Sequence, residues 1–241
     1  MSFIKIFIKF LFSKIVTLKI LERFSQNLIW RNILLKKKPK IVSSISGNSK
    51  KTSVDSWNKV LRHKVWDKIP EHINVSKDIL YLEFGVWKGH SIKYFADKYK
   101  SPSSEFYGFD TFYGFPEKCL DMEKGHYSTS GEMPQINDVR IKFIKGLFQE
   151  TLPIFLKKIK FESKDKTVLI HFDAPLHSAT LFNLFKLSEK FTNYYFIFDQ
   201  LGTEECRALN NFNKSTLTDY DLYFASLWNH APEVVFGKFK T

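Results

Sequence analysis

ILYLEFGVWKG, residues 79–89, is the stretch from which the fold class of this chain can be read. It is an apolar run that ends in Glu83 and continues into two glycines four residues apart, Gly85 and Gly89. Glycine lacks a Cβ, so the backbone can turn sharply after a strand and a ligand can lie against the main chain. The pattern predicts a buried strand followed by a glycine turn and a helix. Any strand–turn–helix unit can carry two glycines, so neighbouring segments must support a ligand site.

Four further apolar runs end in an acid or a glycine and are separated by helical segments. They are EFYGFD (105–110), VRIKFIKG (139–146), TVLIHFD (167–173) and NYYFIFD (193–199). This alternation predicts an α/β fold with a doubly wound, mostly parallel sheet. Ligands bind outside the carboxyl ends of such strands. We therefore expect function at the five strand ends: Glu83, Asp110, Gly146, Asp173 and Asp199.

The charge of the chain is concentrated at one end. The 241 residues carry a net charge of +12, and residues 1–51 hold 12 Lys/Arg against one acid, Glu22. We predict a basic amphipathic arm and linker over residues 1–51 and a globular domain over 52–241. Pro39, Gly47 and the serines and lysines of 36–51 indicate the linker, and apolar spacing predicts a helix over 54–69.

Two cysteines in no disulfide or metal pattern are typical of a reducing cytoplasm.

The first 24 residues are apolar but interrupted by lysines at positions 5, 9, 14 and 19. Each central lysine would cost about 2.5–3.5 kcal/mol in a spanning helix, and no signal-peptide cleavage site follows. Lysine stems can instead snorkel at a lipid surface, which predicts peripheral contact with the anionic inner face of a membrane. The alternative is a helix packed on the domain or on a partner chain, as in a homo-oligomer. The basic residues alternate with large aliphatics, which argues against a nucleic-acid partner.

Taken together, the motifs resemble the macrocin O-methyltransferase-like (TylF-type) branch of the class I S-adenosylmethionine-dependent methyltransferases. The resemblance rests on six stretches in the family's order: LEFGVWKGHSIKYFA (82–96), FYGFDTFYGFPE (106–117), KGHYSTSGEMP (124–134), VRIKFIKGLFQETLPIFL (139–156), HFDAPLHSATLFNL (171–184) and IFDQLGTEECRAL (197–209). It implies an O-methyltransferase that uses S-adenosyl-L-methionine and acts on a hydroxyl of a sugar, glycan or related polar metabolite.

The resemblance also implies roles for individual residues. The methionine portion of the cofactor would lie among Glu83, Gly85, Val86, Gly89 and Ser91. Asp110, followed by Thr111, would hold the ribose hydroxyls, since a carboxylate can accept two hydroxyl protons. The adenine would lie beside Gly146, Leu147 and Phe148. The structural alternative for Asp110 is the N-cap of a helix.

The chain departs from the family at its cation site. Relatives carry Asp-Ala-Asp where this chain has Asp173-Ala174-Pro175, and an acidic pair where it has Asp199-Gln200. Asp173, Asp199 and Gln200 could bind Mg²⁺ only weakly, because Pro175 offers no ligand atom. One interpretation is base catalysis by Asp173 with His171 or His177 and little help from a metal. The other is a degenerate methyltransferase fold that serves as a binding or scaffold protein.

Three aromatic or imidazole side chains in loops are further candidates for substrate contact: Trp87, Tyr113 and His126. A nicotinamide-dependent oxidoreductase is the remaining alternative, because it too has a strand, a glycine turn and an acid after the second strand. Its pyrophosphate cradle requires G-x-G-x-x-G, whereas this chain has only G-x-x-x-G.

Overall fold

A computed structural model describes residues 24–46, 58–119, 121–159 and 166–240. Its centre is one mixed sheet of eight strands in the order β1-β7-β8-β6-β5-β2-β3-β4. The strands are β1 (Lys40–Ile45), β2 (Ile79–Phe84), β3 (Glu105–Asp110), β4 (Ile141–Lys145), β5 (Thr167–Phe172), β6 (Tyr195–Phe198), β7 (Asp219–Trp228) and β8 (Ala231–Lys240).

The five strands predicted from the sequence form the continuous parallel part of this sheet, β4-β3-β2-β5-β6. The chain first builds outward from β2 to β3 and β4, and then returns to the other side of β2 to build β5 and β6. The winding direction therefore reverses between β2 and β5. Such a switch point leaves a crevice outside the carboxyl ends of the strands.

Helices cover both faces of the sheet. The helix α1, residues 24–37, lies on one face with α4 (Phe148–Lys158), α5 (His177–Ser188) and α6 (Cys206–Thr216). The short α2 (His63–Trp66) and α3 (His90–Lys98) lie on the other. Successive strand residues point to opposite faces. In β2, for example, Leu80, Leu82 and Phe84 join the first core, whereas Ile79 and Tyr81 join the second. Glu83 shares the face of Tyr81.

The linker predicted over residues 36–51 is wrong in part, because Lys40–Ile45 is a strand. It pairs in parallel with β7 at the edge of the sheet, and Trp30 and Ile33 of α1 are buried in the core. Polar composition hid the strand, whose partner lies nearly 200 residues further along the chain. The rest of the linker, 47–51, and the lysines of the arm lie outside the described residues.

The helix predicted over 54–69 is confirmed over 58–66, and residues 54–57 lie outside the described residues. A π-helical turn, Asn58–Arg62, continues into α2, and a 3-10 turn, Ile69–Glu71, follows after a break. The antiparallel hairpin of β7 and β8 was not predicted from the sequence. It closes through Asn229 and His230, whose φ values of 47° and 69° suit the tight turn of a two-residue hairpin. No helix in the described ranges is long and apolar enough to cross a membrane.

Candidate active site

A cavity of about 490 Å³ opens at the switch point, outside the carboxyl ends of β2, β3 and β5. Its floor is the turn that follows β2, and its walls come from the segments after β3, β4 and β5. Arg62, from the π-helical turn before α2, also reaches into it. The cavity therefore lies where the sequence predicted a ligand site.

Gly85 and Asp110 form the floor. Gly85 has φ of +95°, and a Cβ there would lie 2.1 Å from the carbonyl oxygen of Asp173. Only glycine lets the ends of β2 and β5 approach so closely. Oδ2 of Asp110 accepts hydrogen bonds from the amides of Val86 at 2.8 Å and Trp87 at 2.9 Å. The acid at the end of β3 thus holds the turn after β2.

Asp110 does not cap a helix, because bends and turns follow β3. Its Oδ1 instead accepts a hydrogen bond from the amide of Phe112 at 2.8 Å. A carboxylate offers about four acceptor positions, and three are now used. In this arrangement Asp110 has about one acceptor position left for a ligand hydroxyl, whereas the interpretation from sequence assigned it two.

Seven of the ten predicted cofactor residues line the cavity: Gly85, Val86, Ser91, Asp110, Thr111, Leu147 and Phe148. Gly89 and Gly146 do not, but each has a positive φ, 75° and 143°, and so shapes a turn beside the cavity. Glu83 does not line it either, because its side chain is fully buried. Glu83 instead accepts a hydrogen bond from Ser91, which does line the cavity.

A buried polar row runs beneath the cavity floor. Ser91 donates a hydrogen bond to Oε1 of Glu83 at 2.8 Å, and the Tyr81 hydroxyl donates to Oε2 at 2.6 Å. The same hydroxyl lies 2.7 Å from Nδ1 of His171, whose Nε2 is 3.2 Å from Oδ2 of Asp199. The row exists because Glu83 and His171 are paired on β2 and β5, and Asp199 directly follows the next strand, β6.

The row ends at Arg62, which joins the two acids of the predicted catalytic centre. Arg62 Nε lies 3.0 Å from Oδ2 of Asp199, and Nη2 lies 3.3 Å from Oδ1 of Asp173. Asp173 lines the cavity, whereas Asp199 is fully buried behind it. Arg62 is the main functional candidate that sequence analysis missed. Its only signal was its position beside Leu61 at the border of an apolar stripe.

Burial and charge shift the titration of these groups in different directions. Burial raises the pKa of Asp173, although Arg62 opposes the shift. Burial also favours the protonated form of Asp199, but Arg62 and His171 outweigh it and hold the pKa of that carboxyl below its usual range. For His171, burial favours the neutral ring, but Asp199 outweighs it and raises the pKa. Asp199 is thus the fixed negative charge of the centre.

The histidines predicted as bases do not reach the cavity. His171 is fully buried, and His177 lies at the start of α5, with Nε2 3.2 Å from Nδ2 of Asn211. Neither lines the cavity, whereas Asp173 and Gln200 do. Of the three residues predicted for base catalysis, Asp173 is the one that lines the cavity.

Loop aromatics form one rim of the cavity. Trp87 has a positive φ of 49° and lies edge-on to Tyr127, with ring centroids 5.4 Å apart. Both line the cavity. The other two loop candidates do not: Tyr113 lies under the Lys145 ammonium group, and the exposed His126 packs on Tyr127.

The predicted cation ligands, Asp173, Asp199 and Gln200, do not fit a divalent ion as they are arranged. Gln200 lines the cavity, and ligand atoms of Asp173 and Asp199 lie within 4.8 Å of one another and of His171, a spacing that a cation could use. Arg62 already contacts both carboxylates, however, and places a positive charge between them. A dication there would meet that charge while gaining no ligand from Pro175.

The fold is similar to that of a solved O-methyltransferase. NovP aligns with a TM-score of 0.50 and 18% identity over 72% of this chain and 76% of that protein. An O-methyltransferase from Bacillus cereus, solved in complex with SAH, aligns with a TM-score of 0.47 and 11% identity over 80% of this chain and 84% of that one. No protein-family profile and no curated protein matches the chain. The alignment with NovP shows that the chain has a Rossmann-like methyltransferase fold.

Proposed function

We propose that the chain is an S-adenosylmethionine-dependent O-methyltransferase that acts on a hydroxyl of a sugar, glycan or related polar metabolite. One observation carries the proposal: Asp110 and Asp173, at the ends of strands on either side of β2, both face one cavity at the switch point of a methyltransferase fold. The TylF-type resemblance and the likeness to NovP support the same class.

The residues of the cavity fit the cofactor. A volume of about 490 Å³ lies within the roughly 300–1,000 Å³ of small-molecule sites. The turn at Gly85 exposes backbone to a ligand, Asp110 can accept a ribose hydroxyl, and Leu147 and Phe148 offer an apolar wall for a purine. When bound, S-adenosylmethionine supplies an electrophilic methyl group.

Asp173 is the base in this proposal. Methyl transfer to a hydroxyl requires loss of the hydroxyl proton, and a positioned carboxylate can take it. Burial raises the pKa of Asp173, which brings its basicity closer to that needed near neutral pH. His171 and His177 would then position neighbouring side chains or pack within the fold, and would not accept the proton directly.

The acceptor is expected to be a ring with several polar groups. Trp87 and Tyr127 give one rim of the cavity an aromatic surface, whereas Glu117 and Gln200 add hydrogen-bonding groups elsewhere in the wall. Aromatic faces pack against the apolar face of a ring, and polar groups fix its hydroxyls. This combination supports a saccharide or related polar metabolite.

We also propose peripheral contact with an anionic membrane, such as the inner face of a cytoplasmic membrane, through the N-terminal part of the chain. Phe24, Leu28 and Leu35 lie on one side of α1 and are 61%, 54% and 74% exposed. Their spacing of four and seven residues places them within about 40° of one another around the helix. In the sequence, α1 directly follows residues 1–23, in which lysines alternate with large apolar residues.

Calorimetry with S-adenosylhomocysteine and with NAD tests the cofactor. We expect heat only with S-adenosylhomocysteine, and binding of NAD alone would support an oxidoreductase instead. Transfer of a labelled methyl group to a panel of free sugars, sugar nucleotides and lipid-linked saccharides then tests the activity. Cofactor binding without transfer to any of them would favour the scaffold alternative.

A further inference from the structure

The positive charge of Arg62 lies next to both acids of the centre, Asp173 and Asp199. Its side chain is only 14% exposed, Asp199 is fully buried and Asp173 is 19% exposed. Two buried carboxylates need a compensating charge, because removing an ion from water costs several kcal/mol in a protein. The guanidinium group is planar and permanently charged, so it can face two carboxylates at once.

Most of the ionisable groups near this centre, among the residues that the structure describes, are acids. His171 contacts Asp199, and the carboxyls Glu83, Asp110, Glu205 and Glu233 also act on Arg62 or on the two acids. Burial raises the pKa of Glu83 to about 7 and that of Glu233 to about 8. Burial likewise raises the pKa of Glu205 well above its usual range. Arg62 therefore supplies a permanent positive charge to a mostly acidic environment.

The same atoms would suit a metal if Arg62 were absent. His171, Asp173 and Asp199 offer one imidazole nitrogen and two carboxylate oxygens within 4.8 Å of one another. Mixed nitrogen and oxygen ligands of this kind can bind Mn²⁺, which prefers carboxylate and water but accepts imidazole. The three side chains are therefore close enough to bind a metal ion, and the guanidinium group of Arg62 prevents this.

We propose that Arg62 takes the place of a divalent cation, so that it holds Asp173 and Asp199 in position and excludes metal from a latent site. The consequence of this arrangement for methyl transfer rests on the proposed function. Arg62 is a positioning residue here: it acts on an acceptor through Asp173. Because the turn before α2 supplies this charge, the two acids are compensated without a cation and without a ligand from Pro175.

Mn²⁺ binding to the full chain, followed by electron paramagnetic resonance, tests the proposal without an acceptor. The wild-type protein is expected to show no Mn²⁺ binding at this centre up to the highest concentration used. Arg62→Met, which keeps the length of the side chain but removes the charge, is expected to bind one Mn²⁺ with a dissociation constant at least about 10-fold below that concentration. Adding Asp199→Asn to that variant should abolish the gain.

Two variants serve as controls. Arg207→Met removes an arginine that contacts Glu204 outside the cavity and should not bind Mn²⁺ more tightly than wild type. Arg62→Lys retains a charge and should exclude Mn²⁺ as wild type does, which a merely structural role would not predict.

Two results would overturn the proposal. One is tight Mn²⁺ binding by wild type that Asp173→Asn or Asp199→Asn removes. The other is a folded Arg62→Met variant with no gain in Mn²⁺ binding. If Arg62→Met does not fold, Arg62→Gln replaces it, and the wild-type titration can still refute the proposal. Calorimetry of the same wild-type sample with S-adenosylhomocysteine separates the two hypotheses, since missing heat there would contradict the proposed function alone.

Discussion

Asp110 accepts a hydrogen bond from the backbone amide of Val86 at 2.8 Å, so the acid that ends β3 also fixes the turn that ends β2. The carboxylate has a structural part in addition to its proposed part in ribose binding. Substitutions at Asp110 should therefore affect both stability and ligand affinity.

Asp110→Ala should weaken S-adenosylhomocysteine binding by about 1–3 kcal/mol, because a charged hydrogen-bond acceptor is lost. It should also lower the melting temperature, since the amides of Val86, Trp87 and Phe112 lose their partner. Calorimetry and thermal unfolding measure the two effects. Asp97→Ala is the control, because Asp97 is exposed and pairs with Lys93 on the surface. Unchanged affinity in Asp110→Ala would argue against ribose binding here.

Gly85→Ala should destabilise the protein far more than Gly125→Ala. Both glycines have a positive φ, +95° and +84°, so alanine costs about 1–2 kcal/mol of backbone strain at either position. At Gly85 the new Cβ would also lie 2.1 Å from the carbonyl oxygen of Asp173, whereas at Gly125 the nearest atom is 4.0 Å away. Urea unfolding of the two variants gives the comparison. Equal losses would mean that β2 and β5 do not approach as described.

Asp173→Asn should reduce turnover by roughly 10²–10⁴, the range for loss of a general base. Affinity for S-adenosylhomocysteine should change little, because Asp110 and the Gly85 turn remain. Steady-state kinetics on an acceptor from the saccharide panel measures the effect. Asp97→Asn is the control, because Asp97 is exposed, pairs with Lys93 on the surface and does not line this cavity. Near-normal turnover in Asp173→Asn would refute the proposed base.

Glu83 should make stability depend on pH. Burial raises its folded pKa from 4.5 to about 7, so between these values the unfolded chain releases a proton that the folded protein keeps. Stability from this group is therefore complete below about pH 4.5, falls as pH rises, and levels off above about pH 7, for a total loss of about 3 kcal/mol.

Urea unfolding of wild type and Glu83→Gln from about pH 5 to pH 8 measures this dependence. The stability of wild type relative to the variant should fall over that window, because glutamine does not titrate. Glu71→Gln is the control, since Glu71 is exposed and its pKa is lowered by Lys68. A difference between wild type and Glu83→Gln that stays constant with pH would show that Glu83 is ionised throughout.

Full-length chain should sediment with anionic liposomes, and added salt should weaken the effect because the Debye length falls to about 3 Å at 1 M. Replacing the lysines at 5, 9, 14 and 19 by glutamine, together with Leu28→Ser and Leu35→Ser, should abolish sedimentation. These substitutions spare Trp30 and Ile33, which are buried in the core, so the fold is retained. Undiminished sedimentation of the variant would contradict membrane contact through this region.

Local sequence patterns were sufficient to predict the parallel part of the sheet and the edge at which the cavity opens. Each of its five strands is a short apolar run with a glycine or an acid at its end, and these signals lie within a few residues of one another. Gly85 shows why such signals are reliable: its backbone conformation depends on the residue itself. The same local signals predicted that Asp110 and Asp173 lie at the cavity.

The set of side chains that meet at the centre depends instead on contacts between distant segments. Arg62 precedes Asp173 by 111 residues, and no local pattern indicates that the turn before α2 delivers its guanidinium group to the ends of β5 and β6. The alternation of side chains along neighbouring strands likewise buried Glu83 and His171 beneath the cavity rather than in it. β1 could not be predicted for the same physical reason, because its pairing with β7 depends on hydrogen bonds between segments far apart in the chain.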